Sequence, residues 1–262
     1  DVENTITKRD GKVHLDPFEP DNTLVQVGIC NADKSNQLKI FNLDHNECKD
    51  ETGSRREQIQ KCLDSTKLLI MHNAQHDLMW LWECGFKYDG DIYDTMLAEY
   101  ILDRGQRNPL SLQACAERRQ LEVQKDDTLK KYFKEGKNTN EIPLAELCHY
   151  LEHDLLTTSE LFHAQERDFS LPEASSLSTI KRVTFNTCKT LTEIYTAGFK
   201  VDLQELERVA KEFENEKAEI ETRLQKKVRE VMGDTPINLR SPEQKSQVLF
   251  SRRVHDKKEW AN

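Results

Sequence analysis

Four carboxylates and one tyrosine stand at spacings that suit metal-assisted hydrolysis. Asp1 and Glu3 are separated by one residue. Side chains alternate faces along a β-strand, so both point the same way and can share one cation. Asp77 comes four residues after Asn73, just beyond the short apolar run at 67–71. Asp154 comes four residues after Tyr150, and in a helix that spacing puts both on one face. Hard oxygen ligands of this kind suit Mg²⁺ or Mn²⁺ rather than zinc. Singly, each signal is weak, because a DxE triplet arises by chance and an Asp on an amphipathic helix is usually solvated or capping.

These residues need elements to position them. Residues 24–30 alternate, and 38–43 follow after a polar turn at 31–36, which reads as a β-hairpin. Residues 1–3 read as the end of a first strand that the start of the chain cuts, which would leave a free amino group beside the metal ligands. A helix is expected over 54–64. The run at 67–71 is short and apolar, so it reads as a buried strand, and Asn73 after it is a good side-chain N-cap. The next helix carries Leu78, Leu81 and Trp82 and ends at Gly85. Short helices are expected over 94–103, 111–119 and 127–133, and a longer one over 143–167 with Pro143 at its first turn. Beyond about Ile92 everything reads as helical. Two long helices, 172–197 and 202–232, are separated by Gly198, and the second is so charged that it must be largely solvated. Both are expected to need an outside partner to bury a face. Residues 252–262 read as a frayed end.

Composition narrows the class. At 262 residues, with 36% hydrophobic and 32% charged residues, the chain can bury a sizeable core and reads as soluble. No apolar run approaches a membrane span and no signal-peptide pattern opens the chain, so a cytoplasmic protein with no membrane partner is expected. The seven cysteines are scattered without a CxxC pair and read as reduced thiols. A net charge of −9 argues against a basic nucleic-acid surface. Carboxylates committed to cations gain local positive charge only with the ions, so a phosphate substrate stays open.

Order along the chain is the more specific signal. A DxE on a strand, a hairpin, a strand leading into HNxxxD on a helix and a later helix with YxxxD together resemble the DEDD exonuclease superfamily, which has a ribonuclease H-like fold. Met71-His72-Asn73-Ala74-Gln75-His76-Asp77-Leu78 and Asp94-Thr95-Met96-Leu97-Ala98-Glu99-Tyr100 resemble the proofreading domain of bacterial and phage family A DNA polymerases. Further on, Ala197-Gly198-Phe199-Lys200-Val201-Asp202, Ile237-Asn238-Leu239-Arg240-Ser241-Pro242 and Val248-Leu249-Phe250 are similar to the start of the polymerase thumb.

The resemblance implies an α/β protein in which a mixed sheet flanked by helices is followed by a mainly α-helical segment. A 3′–5′ exonuclease domain with a truncated first strand would span 1–170, and a helical connector and the start of the thumb 171–262. It implies two divalent metal ions, Mg²⁺ or Mn²⁺. The substrate would be a single-stranded DNA 3′ end, and the partners the polymerase palm and fingers, whose motifs are not in this sequence. Asp1, Glu3 and Asp154 would hold the ion that activates water, and Asp1 and Asp77 the ion at the leaving 3′-oxygen. Tyr150 would orient the water and Asn73 would contact the terminal nucleotide. His76 stands where the family usually has an aromatic residue, where it would either loosen the packing or touch the substrate. Asp94 is either a support behind the site or a helix N-cap.

Four alternatives stand beside this reading. His149 with Asp154 also fits the HxxxxD pattern, although the polymerase-like flanks and helical phase favour Tyr150. The pairs His72/His76 and His149/His153 invite a zinc site or a His-Asp phosphohydrolase, but those phosphohydrolases are all-helical and this chain opens with strands. An RNA-trimming exonuclease resembling ribonuclease D keeps the fold and changes the substrate, and a non-catalytic binding fragment keeps the fold alone.

Overall fold

The computed structural model describes residues 1–121, 128–233 and 237–250, without the side chains of 34–36 and 128. Seven strands come first: β1 (Val2–Asn4), β2 (Thr7–Arg9), β3 (Lys12–His14), β4 (Leu24–Asn31), β5 (Lys34–Asn42), β6 (Asp44–His45) and β7 (Cys48–Lys49). Then α1 (Ser54–Ser65), β8 (Leu68–Met71), α2 (Ala74–Glu83), β9 (Asp91–Asp94) and α3 (Thr95–Leu102) alternate. The remainder is helical: α4 (Leu112–Arg118), α5 (Thr128–Lys134), α6 (Leu144–Phe169), α7 (Leu177–Ala197), α8 (Leu203–Met232) and α9 (Pro242–Phe250). The mixed α/β class followed by helices is as the sequence led us to expect.

The hairpin β4–β5 is tighter than its polar stretch suggested. Asn31 pairs with Lys34, which leaves Ala32 and Asp33 as the turn, and the Asn31 side chain accepts from the Asp33 N–H. β1 lies antiparallel on the other edge of β4, with Val2 opposite Val27 and Glu3 opposite Gln26. A separate parallel pair joins β8 to β9, with Met71 opposite Asp94.

β9 departs from the all-helical expectation after Ile92. Its sequence, Asp-Ile-Tyr-Asp, begins and ends on acids, which hides two buried core residues, Ile92 and Tyr93, from a periodicity reading. Asp127 of the expected 127–133 helix and the 252–262 tail lie outside the described residues. β8 was expected to be buried, yet Leu68 is 41% exposed and Leu69 and Ile70 are only partly covered. α2 is buried on more than one face, since Met79 and Trp80 are enclosed as well as Leu78 and Leu81. It is therefore a central helix rather than an amphipathic surface one.

By internal contacts the chain divides into Asp1–Gly198 and Phe199–Asn262. α7 packs within the first unit against α2, α3 and β9, burying Phe185 and Thr192. A buried ionic network ties α3, α4 and α6 there. Glu99 accepts from Arg118, Arg119 at 2.7 Å and Gln165 at 2.9 Å, and Arg119 also reaches Asp168 at 2.6 Å. A carboxylate buried in this way is tolerable only because every lone pair is satisfied. In the second unit, α8 buries only Met232, and its Asp202 N-cap accepts from the N–H groups of Gln204 and Glu205.

Candidate active site

Gly28 is the point on which the site is assembled. It exchanges backbone hydrogen bonds with Asp1: its N–H donates to the Asp1 carbonyl at 2.9 Å, and the Asp1 amino group donates to the Gly28 carbonyl at 3.1 Å. A Cβ built on Gly28 would fall 2.6 Å from Leu155 Cδ1 and 2.9 Å from Leu151 Cγ, so α6 crosses β4 there closer than any side chain would allow. Asp154 lies between those two leucines in sequence. The close crossing thus carries Asp154 to the strand end where Asp1 and Glu3 already sit.

The three acids converge. Asp1, Glu3 and Asp154 can each offer a carboxylate oxygen such that all three oxygens lie within 4.8 Å of one another. All three side chains are half-buried. Burial, and then the charges of Asp154 and Asp77, push the Glu3 carboxyl up to about 8, with the Asp1 amino group acting in the opposite sense. Asp77, on the first turn of α2, is only 3% exposed. Burial raises its pKa, opposed by the Asp1 amino group and by His76. Asp77 is not one of the three clustered acids, and its Oδ2 is buried with no hydrogen-bond partner among the described residues. An orphaned carboxylate oxygen beside three crowded acids is chemically a donor set that a divalent cation completes.

Asp94 both caps a helix and supports the site. Its Oδ1 accepts from the N–H groups of Met96 and Leu97, which caps α3. The same carboxylate also accepts from Asn73 N–H at 3.2 Å and Ala74 N–H at 2.9 Å. Asn73 was expected to cap α2 with its own side chain, and it does not. It sits in the left-handed region at φ 69°, with no side-chain cap bond, and Asp94 satisfies the start of α2 from across the β8–β9 pair. That leaves the exposed Asn73 amide available to something outside the fold.

The remaining predicted residues fall around this centre. Tyr150 is half-buried against the cluster of Val25, Leu129, Tyr132, Ile142 and Leu147, whereas His149 is exposed. The His76 ring bonds the Asn4 side chain at 3.0 Å, which ties α2 to the end of β1. His72 is held by Thr95 Oγ1 and the Leu110 carbonyl, each at 2.9 Å, and burial lowers its pKa. Both histidines of that i,i+4 pair are thus engaged, and among the described residues the only group arranged for a metal is the three acids. Of the aromatics that could meet a base, Phe18 is 43% exposed while Trp80 and Tyr93 are in the core.

Comparison with protein families decides the class. A model of a 3′–5′ exonuclease family matches residues 18–168, more than half of the chain. The chain belongs to this family. A comparison with curated proteins gave no match. The exonuclease match takes in Asn73, Asp77, Asp94, Tyr150 and Asp154. Asp1 and Glu3 lie ahead of it and join the site by the pairing of β1 with β4. Sequence reading missed Gly28 and Asn4 as parts of this candidate site. A glycine in the middle of a buried strand was the one available signal for Gly28. Nothing in a single sequence pairs Asn4 with His76.

Proposed function

We propose that the chain is a metal-dependent 3′–5′ exonuclease that removes nucleotides from single-stranded DNA 3′ ends, as the proofreading part of a family A DNA polymerase. The observation that carries this reading is the convergence of Asp1, Glu3 and Asp154 beside the buried, unsatisfied Asp77. Asp1, Glu3 and Asp154 would hold one Mg²⁺ or Mn²⁺, and Asp1 and Asp77 the other. Bound there, the ions supply an activated water and stabilise the departing 3′-oxygen.

The chain's own groups do the rest. The Tyr150 hydroxyl, its ring gripped by the cluster under β4, orients the attacking water. The exposed Asn73 amide contacts the terminal nucleotide, and His76, steadied by Asn4, closes the same side. Asp94 holds the backbone of Asn73 and Ala74 so that Asp77 projects from a fixed helix start. The polymerase part of the proposal draws on α8, whose apolar stripe of Leu206, Phe213, Ile220, Leu224 and Val231 is exposed, as on a helix made to pack against further chain. Among the described residues no helix is long and apolar enough to cross a membrane.

The test is digestion of 5′-labelled single-stranded DNA with Mg²⁺ or Mn²⁺, beside an RNA of the same sequence. We expect a ladder shortening from the 3′ end on DNA, lost in Asp77→Ala and Asp154→Ala. A ladder that survives both substitutions, or one seen on RNA alone, overturns the proposal.

A further inference from the structure

The segment that follows β1 is basic in an acidic chain. β2 and β3 form a two-stranded hairpin with Arg9 opposite Lys12, and its tip at Asp10 and Gly11 has the paired positive φ of a tight hairpin turn, 52° and 71°. Lys8, Arg9 and Lys12 stand on it against one acid, Asp10, while the whole chain carries −9. Arg9 is committed to Glu19 at 2.6 Å. Lys8 and Lys12 are exposed, and among the described residues their side chains have no ion pair or hydrogen bond. Asn22 locks the hairpin to the loop after it, its side chain accepting from Thr7 Oγ1 at 2.8 Å and donating to the carbonyls of His14 and Asp16. Leu15 fixes this piece beside the acids. Its carbonyl accepts from Trp80 Nε1 at 3.1 Å and from Asn4 Nδ2 at 3.3 Å, and Asn4 also bonds His76. Further along the loop, Phe18 lies beside Tyr195 of α7 with ring centroids 6.1 Å apart, and the two residues stay 43% and 58% exposed.

We propose that this surface holds the single strand upstream of the bond that is cut: the Phe18–Tyr195 pair stacks a base, and Lys8 and Lys12 meet the phosphates. The inference rests on the nuclease reading and gives a place to the part of the substrate that the acids do not touch. Every base has a π-face, so stacking on a ring holds a strand of any sequence, which an enzyme trimming an end requires. Lysines without partners supply the phosphate contacts. The carboxylates of the loop are occupied locally: Glu19 and Asp21 lie against Arg9, and Asp16 accepts from the Phe18 N–H at 3.1 Å. From Leu15 to Phe18 the chain can span at most about 10 Å, so the rings lie on the His76 side of the site rather than on a remote face. Exposed rings alone would also suit a protein partner, but lysine is depleted at protein interfaces and is the residue left unpaired here. Asn22, Asn4 and Trp80 hold the surface in one shape, so little ordering is required when a strand arrives.

The experiment measures binding of a fluorescent oligothymidylate of about ten nucleotides in EDTA, where nothing is cut. We expect Phe18→Ala and Tyr195→Ala each to weaken binding by roughly fivefold or more, and Tyr195→Phe to keep the parent affinity. Lys8→Gln with Lys12→Gln should reduce the slope of log affinity against log salt by about 1.4. On a strand of the same length without bases, the two alanine variants should bind as the parent does. An oligonucleotide carrying iodouracil should photo-crosslink to Phe18 or Tyr195, which reads the contact even where affinity is low. Parent affinity in both alanine variants overturns the proposal and leaves the surface to a protein partner. A parent chain that neither binds nor crosslinks overturns it as well. None of these readouts depends on cleavage, so their failure is distinct from failure of the nuclease reading, which would show as a missing ladder with Mg²⁺ or Mn²⁺.

Discussion

At the scale of single residues, the site gathers buried acids whose repulsion a bound cation would relieve. Asp77 is buried with an oxygen lacking a hydrogen-bond partner among the described residues, a costly position for a structural residue. Asp77→Asn keeps the shape and removes the charge. It should abolish cleavage while leaving the metal-free protein as stable as before or more stable by about 1 kcal/mol, as urea unfolding in EDTA would show. Glu3 allows a prediction with pH. Its carboxyl is pushed up to about 8 in the fold, above its ordinary value, so the folded state retains a proton that the unfolded state has released. Between the ordinary value of 4.5 and about 8 the metal-free protein therefore loses stability as pH rises, and above that range this loss is complete. Asp77, also raised, acts in the same sense. Cations bind the deprotonated acids, so the rise in thermal midpoint on adding Mn²⁺ should be larger at pH 8 than at pH 6. An equal rise at both values would show that these acids are not the ligands.

At the scale of elements, the site depends on where α2 and α6 begin and cross. Asp94 caps α3 and receives the first N–H groups of α2, so Asp94→Ala releases two helix starts at once. Destabilisation of about 3 kcal/mol is expected, with a further fall of roughly 10- to 100-fold in cleavage at saturating Mn²⁺ because Asp77 is no longer held. Asn73→Ala, by contrast, removes no cap and should cost little stability. Gly28→Val presses a branched side chain into Leu151 and Leu155, and overpacking there should cost about 2 kcal/mol. Because it also lifts Asp154 from Asp1 and Glu3, Mn²⁺ should no longer raise the thermal midpoint of that variant as it does for the parent. The shared face of Asp1 and Glu3 followed from strand alternation and that of Tyr150 and Asp154 from helical phase, which are local properties, whereas the set of acids was singled out by its order and the family it resembles. β9 was not, because its terminal acids break the apolar signal over only four residues. The double role of Asp94 was half legible: its place before α3 marked a cap, but its reach to Asn73 depends on the parallel pairing of Met71 with Asp94, a long-range register no local pattern carries.

At the scale of the whole molecule, the two units differ in how they bury apolar surface. The first, Asp1–Gly198, contains all three buried hydrophobic clusters, the Glu99 network and every predicted site residue. α7, for which the sequence led us to expect an outside partner, buries its face instead within this unit against α2, α3 and β9. The second unit has no cluster of its own among the described residues, and α8 leaves Leu206, Phe213, Ile220 and Leu224 exposed along one stripe. With one buried side chain and only a short contact with α9, α8 has little tertiary packing to offset the entropy of ordering it. A chain ending at Gly198 should accordingly unfold in one cooperative transition, with a midpoint within about 3 °C of the full chain. It should keep the same Mn²⁺-induced rise, since all four acids remain. The complementary piece, 199–262, should lose its helical signal gradually on heating, without a cooperative step. A cooperative transition in 199–262 alone, or loss of the Mn²⁺ response in the shortened chain, would mean that the second unit supplies part of the site's support.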